Sequence, residues 1–414
     1  VEEVRAFCQK AADGSFPVAD KMIEIMDYYG FDGYFFNQES YGCGQAEADL
    51  IDEMMRYMHK KRPNMLISWY DSMTNSGGVS YQNAVNSRND RYMKPDDTGN
   101  WGVDQFMMNY NWYDSQVNTT ISTLKGMGRS QYDGFAGLDV QQNGMNTAFR
   151  DHQLFDEDGL LKLSVALYCP NSTLGNSSSG ENFHEIEREF YVGPSGDPRE
   201  AASDPTDSSN SAWVGFSRFF ADKTVITKAP FVTNFNTGHG RQYFVDGVAS
   251  REKEWSYQSN QDVVPSWTWI IDSEGAKLEG GYDFTDAYNG GNSVKFEGSL
   301  TANKANDIKL YHTNVAITNG MKLSLTHKNS GGKMKLVAYY GDATTTSFDG
   351  CTTTEHALTA EDTDKWGTSV VDLSSDAGKT LVAIGLKIES DADVDSYKVN
   401  LGQIKLTEKD RAAL

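Results

Sequence analysis

The stretch GYFFNQE (33–39) joins a short aromatic strand to a polar end, and the predictions of fold and active site start from it. Side chains alternate between the two faces of a strand, so Asn37 and Glu39 are predicted to project from the same face, one pleat apart. A carboxyl group and a neutral amide would therefore lie side by side where the strand ends.

Around this stretch, helical and strand-like patterns alternate through the first part of the chain. Pro17 opens a predicted helix and Gly30 ends it, at the positions that these residue types favour. Strands separated by helices or long crossovers indicate a parallel α/β sheet. The other predicted helices are 46–60 and 115–126, and the predicted strands are 31–38, 64–70, 105–112, 134–140 and 162–168.

Each predicted strand ends in polar or aromatic residues, as active-site residues do at the carboxyl ends of strands in a (β/α)8 barrel. A closed barrel needs eight strands, and only five are visible. We therefore expect a (β/α)8 TIM barrel whose amino-terminal strands are absent from this chain, with an open sheet as the alternative. The strand-end residues are Asn37, Glu39, Tyr70, Asp71, Tyr110, Trp112, Asp139 and Tyr168.

The second part of the chain has a different pattern. Residues 171–212 are rich in Asn, Ser, Gly, Asp and Pro, and are predicted to form a long loop. Short alternating segments with Gly, Asn and Asp turns follow, which indicates an antiparallel β-sandwich or jelly roll. The predicted fold class is thus α/β plus all-β. Its domains are the carboxy-terminal part of the barrel (1–224), an aromatic-rich β connection (225–275) and a carbohydrate-binding-like β-sandwich (276–410).

Composition excludes several classes of partner. The formal net charge of −21 repels phosphate backbones, so we expect no nucleic-acid partner. No apolar run approaches the roughly 20 residues of a spanning helix, so no membrane insertion is expected. The four cysteines lack paired spacing and are predicted to be free thiols, with no metal site and no cofactor. Asp283, Asp286 and Asn289 could form a Ca²⁺ loop, although their spacing matches no EF-hand.

The chemistry at the first strand end indicates an enzyme that cleaves sugars. Glu39 suits the acid that protonates a leaving glycosidic oxygen, whereas its amide neighbour Asn37 suits the orientation of an acetamido group that supplies its own nucleophile. Three alternatives to this assisted reaction stay open. They are a two-carboxylate glycosidase that uses Glu39 with Asp71 or Asp139, a non-catalytic glycan-binding module, and a polar loop without function.

Several motifs, in order along the chain, resemble glycoside hydrolase family 85, the endo-β-N-acetylglucosaminidases, and the bacterial endo-D-type members above all. The resemblance covers most of residues 1–275. Its motifs are DGSFPVADKMIEIMDYYGFDGYFFNQES (13–40), ISWYDSM (67–73), MNYNW (108–112), YDGFAGLDVQQNG (132–144), ALYCPN (166–171) and PFVTNFNTGHG (230–240).

The resemblance implies a retaining, substrate-assisted hydrolysis of the GlcNAc-β1,4-GlcNAc chitobiose core of N-glycans, through an oxazoline. It implies that Glu39 is the general acid/base and that Asn37 orients the 2-acetamido group. It further implies that N-glycans of glycoproteins are the partners, and we expect a monomer that is secreted or lies at the bacterial cell surface. The substrate-binding residues predicted with it are Tyr70, Asp71, Tyr81, Tyr110, Trp112, Asp139 and Tyr168.

Two segments of the chain depart from the family pattern and leave the preferred class of glycan open. Tyr81 stands where some relatives carry Trp, and Gln141 and Gln142 follow Asp139 where others carry Trp.

Overall fold

The chain divides into two compact units in a computed structural model. The first comprises Val1–Ser172 and Ser203–Trp213, and the second comprises Thr173–Ala202 and Val214–Leu414. The residues that the structure describes are 1–142, 144–147, 151–199, 213, 215–219, 223–265, 269–342, 348, 350–358 and 365–408.

The first unit is an α/β structure built on a five-stranded parallel sheet. The strands lie side by side in chain order, from β1 to β5. The strands are β1 (Gly33–Phe36), β2 (Leu66–Tyr70), β3 (Gln105–Met108), β4 (Gly134–Asp139) and β5 (Ser164–Tyr168). The helices are α1 (Glu2–Phe7), α2 (Pro17–Tyr29), α3 (Gln45–Lys61), α4 (Asp114–Gly126) and α5 (Asp151–Leu154).

Local sequence explains how the first strand is placed. Pro17 begins α2, and Gly30 ends it in the left-handed region, at φ 74°. A side chain at Gly33 would put its Cβ atom 1.7 Å from the carbonyl oxygen of Leu66, so only glycine lets β1 pair with β2. The parallel arrangement and all five predicted strands of this unit are confirmed, with shorter bounds than the sequence indicated.

The prediction of a loop over 171–212 is wrong for its first half. A helix, α7 (Gly180–Val192), follows the short α6 (Ser172–Gly175). The hydroxyl oxygen of Ser179 accepts from the backbone N–H of Asn182 at 3.0 Å and caps α7, and Gly193 ends it at φ 77°. The Asn- and Ser-rich composition hid this cap. Residues 200–212 of the predicted loop lie outside the described residues.

The second unit is mainly antiparallel β structure. One sheet has the strand order β11-β14-β19-β16-β17, and the other has the order β12-β13-β20-β15-β18, with β6 also paired to β20. The strands are β6 (Phe231–Thr233), β7 (His239–Gly240), β8 (Tyr243–Val245), β9 (Val248–Arg251), β10 (Trp255–Ser256), β11 (Ile270–Ser273), β12 (Glu279–Asp283), β13 (Ser293–Leu300), β14 (Asn306–Ala316), β15 (Lys322–Asn329), β16 (Lys333–Tyr340), β17 (Thr352–Ala357), β18 (Gly367–Asp372), β19 (Thr380–Glu389) and β20 (Val394–Thr407).

Both large sheets contribute to a single hydrophobic core. Leu336 and Leu386 come from one sheet, and Leu325 and Ile404 come from the other. Residues on these strands alternate between buried and more exposed positions, so each sheet turns one face inward. The coarse prediction of α/β plus all-β structure is therefore confirmed.

The described residues include all four cysteines, and each is a free thiol, as predicted. Cys8 and Cys43 are buried, and burial raises the pKa of Cys8 to about 12. Among the described residues, no helix is long and apolar enough to cross a bilayer.

A pair of histidines joins α7 to β7 inside the second unit. The Nε2 atoms of His184 and His239 lie 2.7 Å apart, and the two rings are parallel. One ring must donate and the other accept, so the bond needs at least one neutral ring. Burial, and after it repulsion from His184, lower the pKa of His239 to about 4.

We predict that this pair makes the fold sensitive to acid. The pKa of His239 lies below the value of about 6.5 for an unfolded histidine, so the unfolded chain binds more protons between pH 6.5 and 4. The free energy of unfolding should fall by about 2 kcal/mol as the pH drops through that window, less than the full difference in pKa would give, because solvent screens the partly exposed ring. Urea denaturation at pH 7.5 and pH 4.5 measures this fall.

The His239→Asn variant should lose much of that pH dependence because Asn does not titrate. His356, whose Nε2 atom lies 3.3 Å from the Thr354 hydroxyl, supplies the matched control. The His356→Asn variant should keep the wild-type fall, and an equal loss in both variants would contradict the assignment to His239.

Candidate active site

Asn37 and Glu39 follow directly after β1 and lie beside each other. The Nδ2 atom of Asn37 donates to Oε2 of Glu39 at 3.1 Å, and both side chains are exposed. Gln38 between them is buried, and its carbonyl oxygen accepts from the Ser72 hydroxyl. The side chains thus continue to alternate between the two faces beyond Phe36, the last residue of β1 that pairs with β2, as the sequence predicted.

Tyr81 completes the surroundings of the carboxylate. Its hydroxyl donates to Oε1 of Glu39 at 2.5 Å, so each oxygen of Glu39 accepts one hydrogen bond. This bond to Glu39 raises the pKa of Tyr81 to about 12. Tyr81 is still 40% exposed. The sequence placed Tyr81 only among the sugar contacts, whereas the structure places its hydroxyl on the carboxylate of Glu39.

Asp71 holds the segment that carries Tyr81. Its side chain has no exposed surface, and it accepts hydrogen bonds from the backbone N–H groups of Gln82 and Asn83. The Nδ2 atom of Asn89 donates to it at 3.0 Å, and the N–H of Asn109 lies 3.5 Å away. Burial raises the pKa of Asp71 to about 6, and the hydrogen bonds limit this rise.

This placement bears on both roles predicted for Asp71, as a second catalytic carboxylate and as a contact to substrate. A carboxylate that is fully enclosed and has several partners cannot reach a sugar without breaking the loop that it holds. The geometry therefore favours a role in positioning Tyr81 over direct contact with substrate.

Aromatic rings form a row along the strand ends. Tyr70 lies between Tyr81 and Tyr110, with ring centroids 6.2 Å from each, and Tyr110 lies 5.7 Å from Tyr168. Burial raises the pKa of Tyr70, and it raises that of Tyr110 to about 12. A hydrogen bond with the Cys169 thiol raises the pKa of Tyr168. All four hydroxyls therefore stay protonated at neutral pH.

Two asparagines that the sequence reasoning did not single out support this row. The hydroxyl of Tyr70 donates to Oδ1 of Asn109 at 2.8 Å, and Nδ2 of Asn109 donates to Oδ1 of Asn83 at 3.1 Å. Asn83 has a left-handed backbone, with φ 55°. Asn109 sits next to Tyr110 in the MNYNW motif, which was the available signal, whereas no pattern marks Asn83.

Trp112 and Asp139 differ in their surroundings. Trp112 is only 1% exposed, and its indole N–H donates to the Gly137 carbonyl at 2.8 Å. It therefore packs beneath the strand ends, which does not fit the predicted contact with substrate. Asp139 ends β4, is half-buried, and accepts from the Gln141 N–H at 3.0 Å. β2 and β3 separate β4 from β1 in the sheet, so Asp139 and Glu39 follow strands that are not neighbours.

Among the described residues, no group of three or more His, Cys, Asp or Glu side chains is placed to hold a metal ion. Two of the three candidate Ca²⁺ ligands are instead paired with lysines. The Oδ2 atom of Asp283 lies 2.6 Å from Nζ of Lys398. Burial alone would raise the pKa of Asp283, but this ion pair and the hydrogen bonds from Thr285 and Asn400 lower it. Asp286 lies 2.7 Å from Nζ of Lys328.

Known proteins resemble this chain along most of its length. The family model of glycosyl hydrolase family 85 matches residues 1–243. The glycoside hydrolase domain of Endo-D from Streptococcus pneumoniae R6 has a similar structure, with a TM-score of 0.88 and 36% identity, over 98% of this chain and 63% of that one. Two curated relatives, both named cytosolic endo-beta-N-acetylglucosaminidase, come from Homo sapiens and Danio rerio. They are 24% and 23% identical, over 76% and 68% of this chain.

These matches also limit and correct the sequence-based expectations. The chain spans only 39% and 36% of the lengths of the human and zebrafish relatives. The expectation of a secreted or cell-surface protein is contradicted, because these relatives are named cytosolic.

We predict that Asp71→Ala destabilises the first unit by about 3 kcal/mol, because it leaves several buried donors without their acceptor. Urea denaturation of the wild type and the variant at pH 7.5 measures the change. Asp32 is exposed, and no hydrogen bond or ion pair of its carboxylate occurs in the described part of the chain. Asp32→Ala should therefore change the free energy of unfolding by less than about 0.5 kcal/mol. Equal effects of the two substitutions would contradict the role given to Asp71.

Proposed function

This chain belongs to glycosyl hydrolase family 85, and we propose that it is an endo-β-N-acetylglucosaminidase. It cleaves the GlcNAc-β1,4-GlcNAc linkage in the chitobiose core of N-glycans, with retention of configuration. The observation that carries the proposal is the pairing of Asn37 with Glu39 at the end of β1, with a hydrogen bond of 3.1 Å between them.

The proposed first step uses the substrate as its own nucleophile. The Oδ1 atom of Asn37 accepts from the N–H of the 2-acetamido group and turns the acetamido oxygen toward the anomeric carbon. That oxygen bonds to the anomeric carbon as the glycosidic bond breaks, which forms an oxazolinium ion whose N–H stays hydrogen-bonded to Oδ1 of Asn37. Glu39 gives its proton to the departing sugar oxygen, so the leaving group departs as a neutral alcohol.

The second step reverses the roles of the same groups. Glu39, now a carboxylate, takes a proton from a water molecule that attacks the anomeric carbon. The bond between that carbon and the acetamido oxygen breaks, and the acetamido group is restored. Two inversions at one carbon give net retention. The bond from Tyr81 to Oε1 fixes the orientation of the carboxylate, so the acid and base steps use one geometry.

The row of tyrosines is proposed to bind the glycan. Tyr70, Tyr81, Tyr110 and Tyr168 offer ring surfaces and protonated hydroxyls, which suit the neutral hydroxyls and C–H faces of sugars. Asp139 at the end of β4 is proposed to accept from a sugar hydroxyl further along the sheet.

A two-carboxylate mechanism fits this geometry poorly. Its two carboxyl groups must lie roughly 5–10 Å apart on either side of the scissile bond. Asp71 is enclosed and already accepts from its own donors, and Asp139 follows β4, which β2 and β3 separate from β1. At the end of β1, Glu39 has the amide of Asn37 within hydrogen-bond distance, where a two-carboxylate mechanism would need a carboxylate nearby.

The finer architecture is also a proposal. The five parallel strands are proposed to belong to a (β/α)8 barrel, and the two antiparallel sheets with a shared core to form a β-sandwich. The domain bounds 1–224, 225–275 and 276–410, and the monomeric state, are proposed with it. The parallel sheet with functional residues at its carboxyl edge supports the barrel.

We predict that Glu39→Gln lowers the hydrolysis of an N-glycosylated protein by roughly 10²–10⁴-fold, because the general acid is lost. Asn37→Gln should also lose hydrolysis, yet it should still turn over a preformed sugar oxazoline, which bypasses the step that Asn37 assists. Mass spectrometry of the glycoprotein follows the reaction, and a single N-acetylglucosamine left on asparagine identifies the cut.

Glu157 is exposed and provides the matched control. Glu157→Gln should retain wild-type hydrolysis. Normal hydrolysis by Asn37→Ala would contradict the assisted mechanism, and glycan binding without any product release would point to a non-catalytic module.

We further predict that Tyr81→Phe lowers kcat/KM by about 10–100-fold, because a hydrogen bond to a charged group contributes roughly 1.5–3 kcal/mol. The control is Tyr28→Phe, since Tyr28 is 81% exposed and its hydroxyl has no hydrogen-bond partner among the described residues. Unchanged kinetics in both variants would show that Tyr81 does not position Glu39.

A further inference from the structure

A surface cleft of about 510 Å³ lies in the second unit and is here named the aromatic cleft. All the residues that form it belong to the aromatic-rich connection that the sequence singled out. The residues that bear on its chemistry are Tyr243, Trp255, Tyr257, Arg251, Glu254 and Asn260.

The walls of the aromatic cleft are held in place by the fold. β8 and β9 form a hairpin whose turn, Asp246-Gly247, has φ values of 50° and 80°. Phe244 exchanges two backbone hydrogen bonds with Gly290, at 2.9 and 3.1 Å, which fixes the hairpin to the rest of its unit. The rings that line the cleft are therefore placed before any ligand arrives.

Two of those rings support each other. The centroids of Tyr243 and Trp255 lie 5.2 Å apart, with planes inclined at 57°. The indole N–H of Trp255 donates to the Gln242 carbonyl at 2.8 Å, which fixes the orientation of the ring. Tyr257 is 61% exposed, so a large part of its surface can receive a ligand. A rigid aromatic surface of this kind favours stacking against an apolar face.

The polar groups of the aromatic cleft are available for binding. Arg251, Glu254 and Asn260 are exposed, and their side chains make no hydrogen bond or ion pair within the described ranges. Together they offer N–H donors, carboxylate acceptors and a carboxamide that does both. Their formal charges cancel, and the whole chain carries −21, so an anionic ligand would be repelled.

A second cleft of the same unit lies beside the start of α7, and its lysines are not available to bind a ligand. Its Lys398 is paired with Asp283 at 2.6 Å, and its Lys295 with Glu297, so its charged groups already have partners. A ligand there would have to break these pairs. The aromatic cleft needs no such rearrangement.

We propose that the aromatic cleft is a carbohydrate-binding site for a neutral oligosaccharide, separate in its residues from the strand-end site. A pyranose ring presents an apolar C–H face and a rim of hydroxyls. The face would stack on Tyr257 beside Trp255, and the hydroxyls would bond to Arg251, Glu254 and Asn260. The proposal goes beyond the proposed hydrolysis, because binding there requires no chemistry at Glu39.

The test measures binding of two neutral probes, mannotriose and N-acetyllactosamine, to the whole protein by isothermal titration calorimetry. At least one probe should bind with saturation, and Tyr257→Ala should weaken that binding about 5–10-fold. Arg251→Met should weaken it as well. Val248→Ala is the matched control, since Val248 is 69% exposed on the same hairpin and does not line the cleft. It should bind as the wild type does.

The outcomes separate this proposal from the proposed activity. Glu39→Gln should bind the probes normally, and Tyr257→Ala should still release glycan from a glycoprotein. The proposal is overturned if neither probe binds, if Tyr257→Ala binds as the wild type does, or if Glu39→Gln abolishes binding. Preferential, Arg251-dependent binding of a sulfated oligosaccharide would overturn the neutral class of ligand. A wild-type protein that binds the probes but releases no glycan from a glycoprotein would instead count against the proposed function alone.

Discussion

The strand-end site depends on the buried carboxylate of Asp71. It accepts hydrogen bonds from Gln82, Asn83 and Asn89 in the loop after β2, and from the N–H of Asn109 after β3. One side chain therefore ties that loop to two neighbouring strand ends. A buried charge costs several kcal/mol unless it is satisfied, so these groups must stay together for the fold to tolerate Asp71. The hydroxyl that reaches Glu39 comes from this same loop.

The site combines one exposed acid with neutral polar groups. Glu39 has an amide on one oxygen and a phenol on the other. The tyrosines along the strand ends have raised pKa values and stay uncharged at neutral pH. Such surroundings suit an uncharged substrate, and the protein thereby avoids placing a second negative charge next to its acid.

Much of this fold could be predicted from sequence, because its signals are local. Pro17 and Gly30 mark the ends of α2, and alternation after β1 places Asn37 beside Glu39. The parts that were missed depend on contacts between distant segments. The bond from Tyr81 to Glu39 spans 42 positions and follows from the burial of Asp71, which no periodicity reveals. The helix α7 was missed because its cap lies in a serine-rich run typical of loops.

The free cysteines determine how the fold responds to reducing agents. No disulfide occurs in the described part of the chain, and Cys8 is held as an unreactive, protonated thiol by its burial. Core packing and hydrogen bonds therefore hold the fold without a covalent cross-link. The described structure therefore contains no disulfide bond that a reducing agent could break.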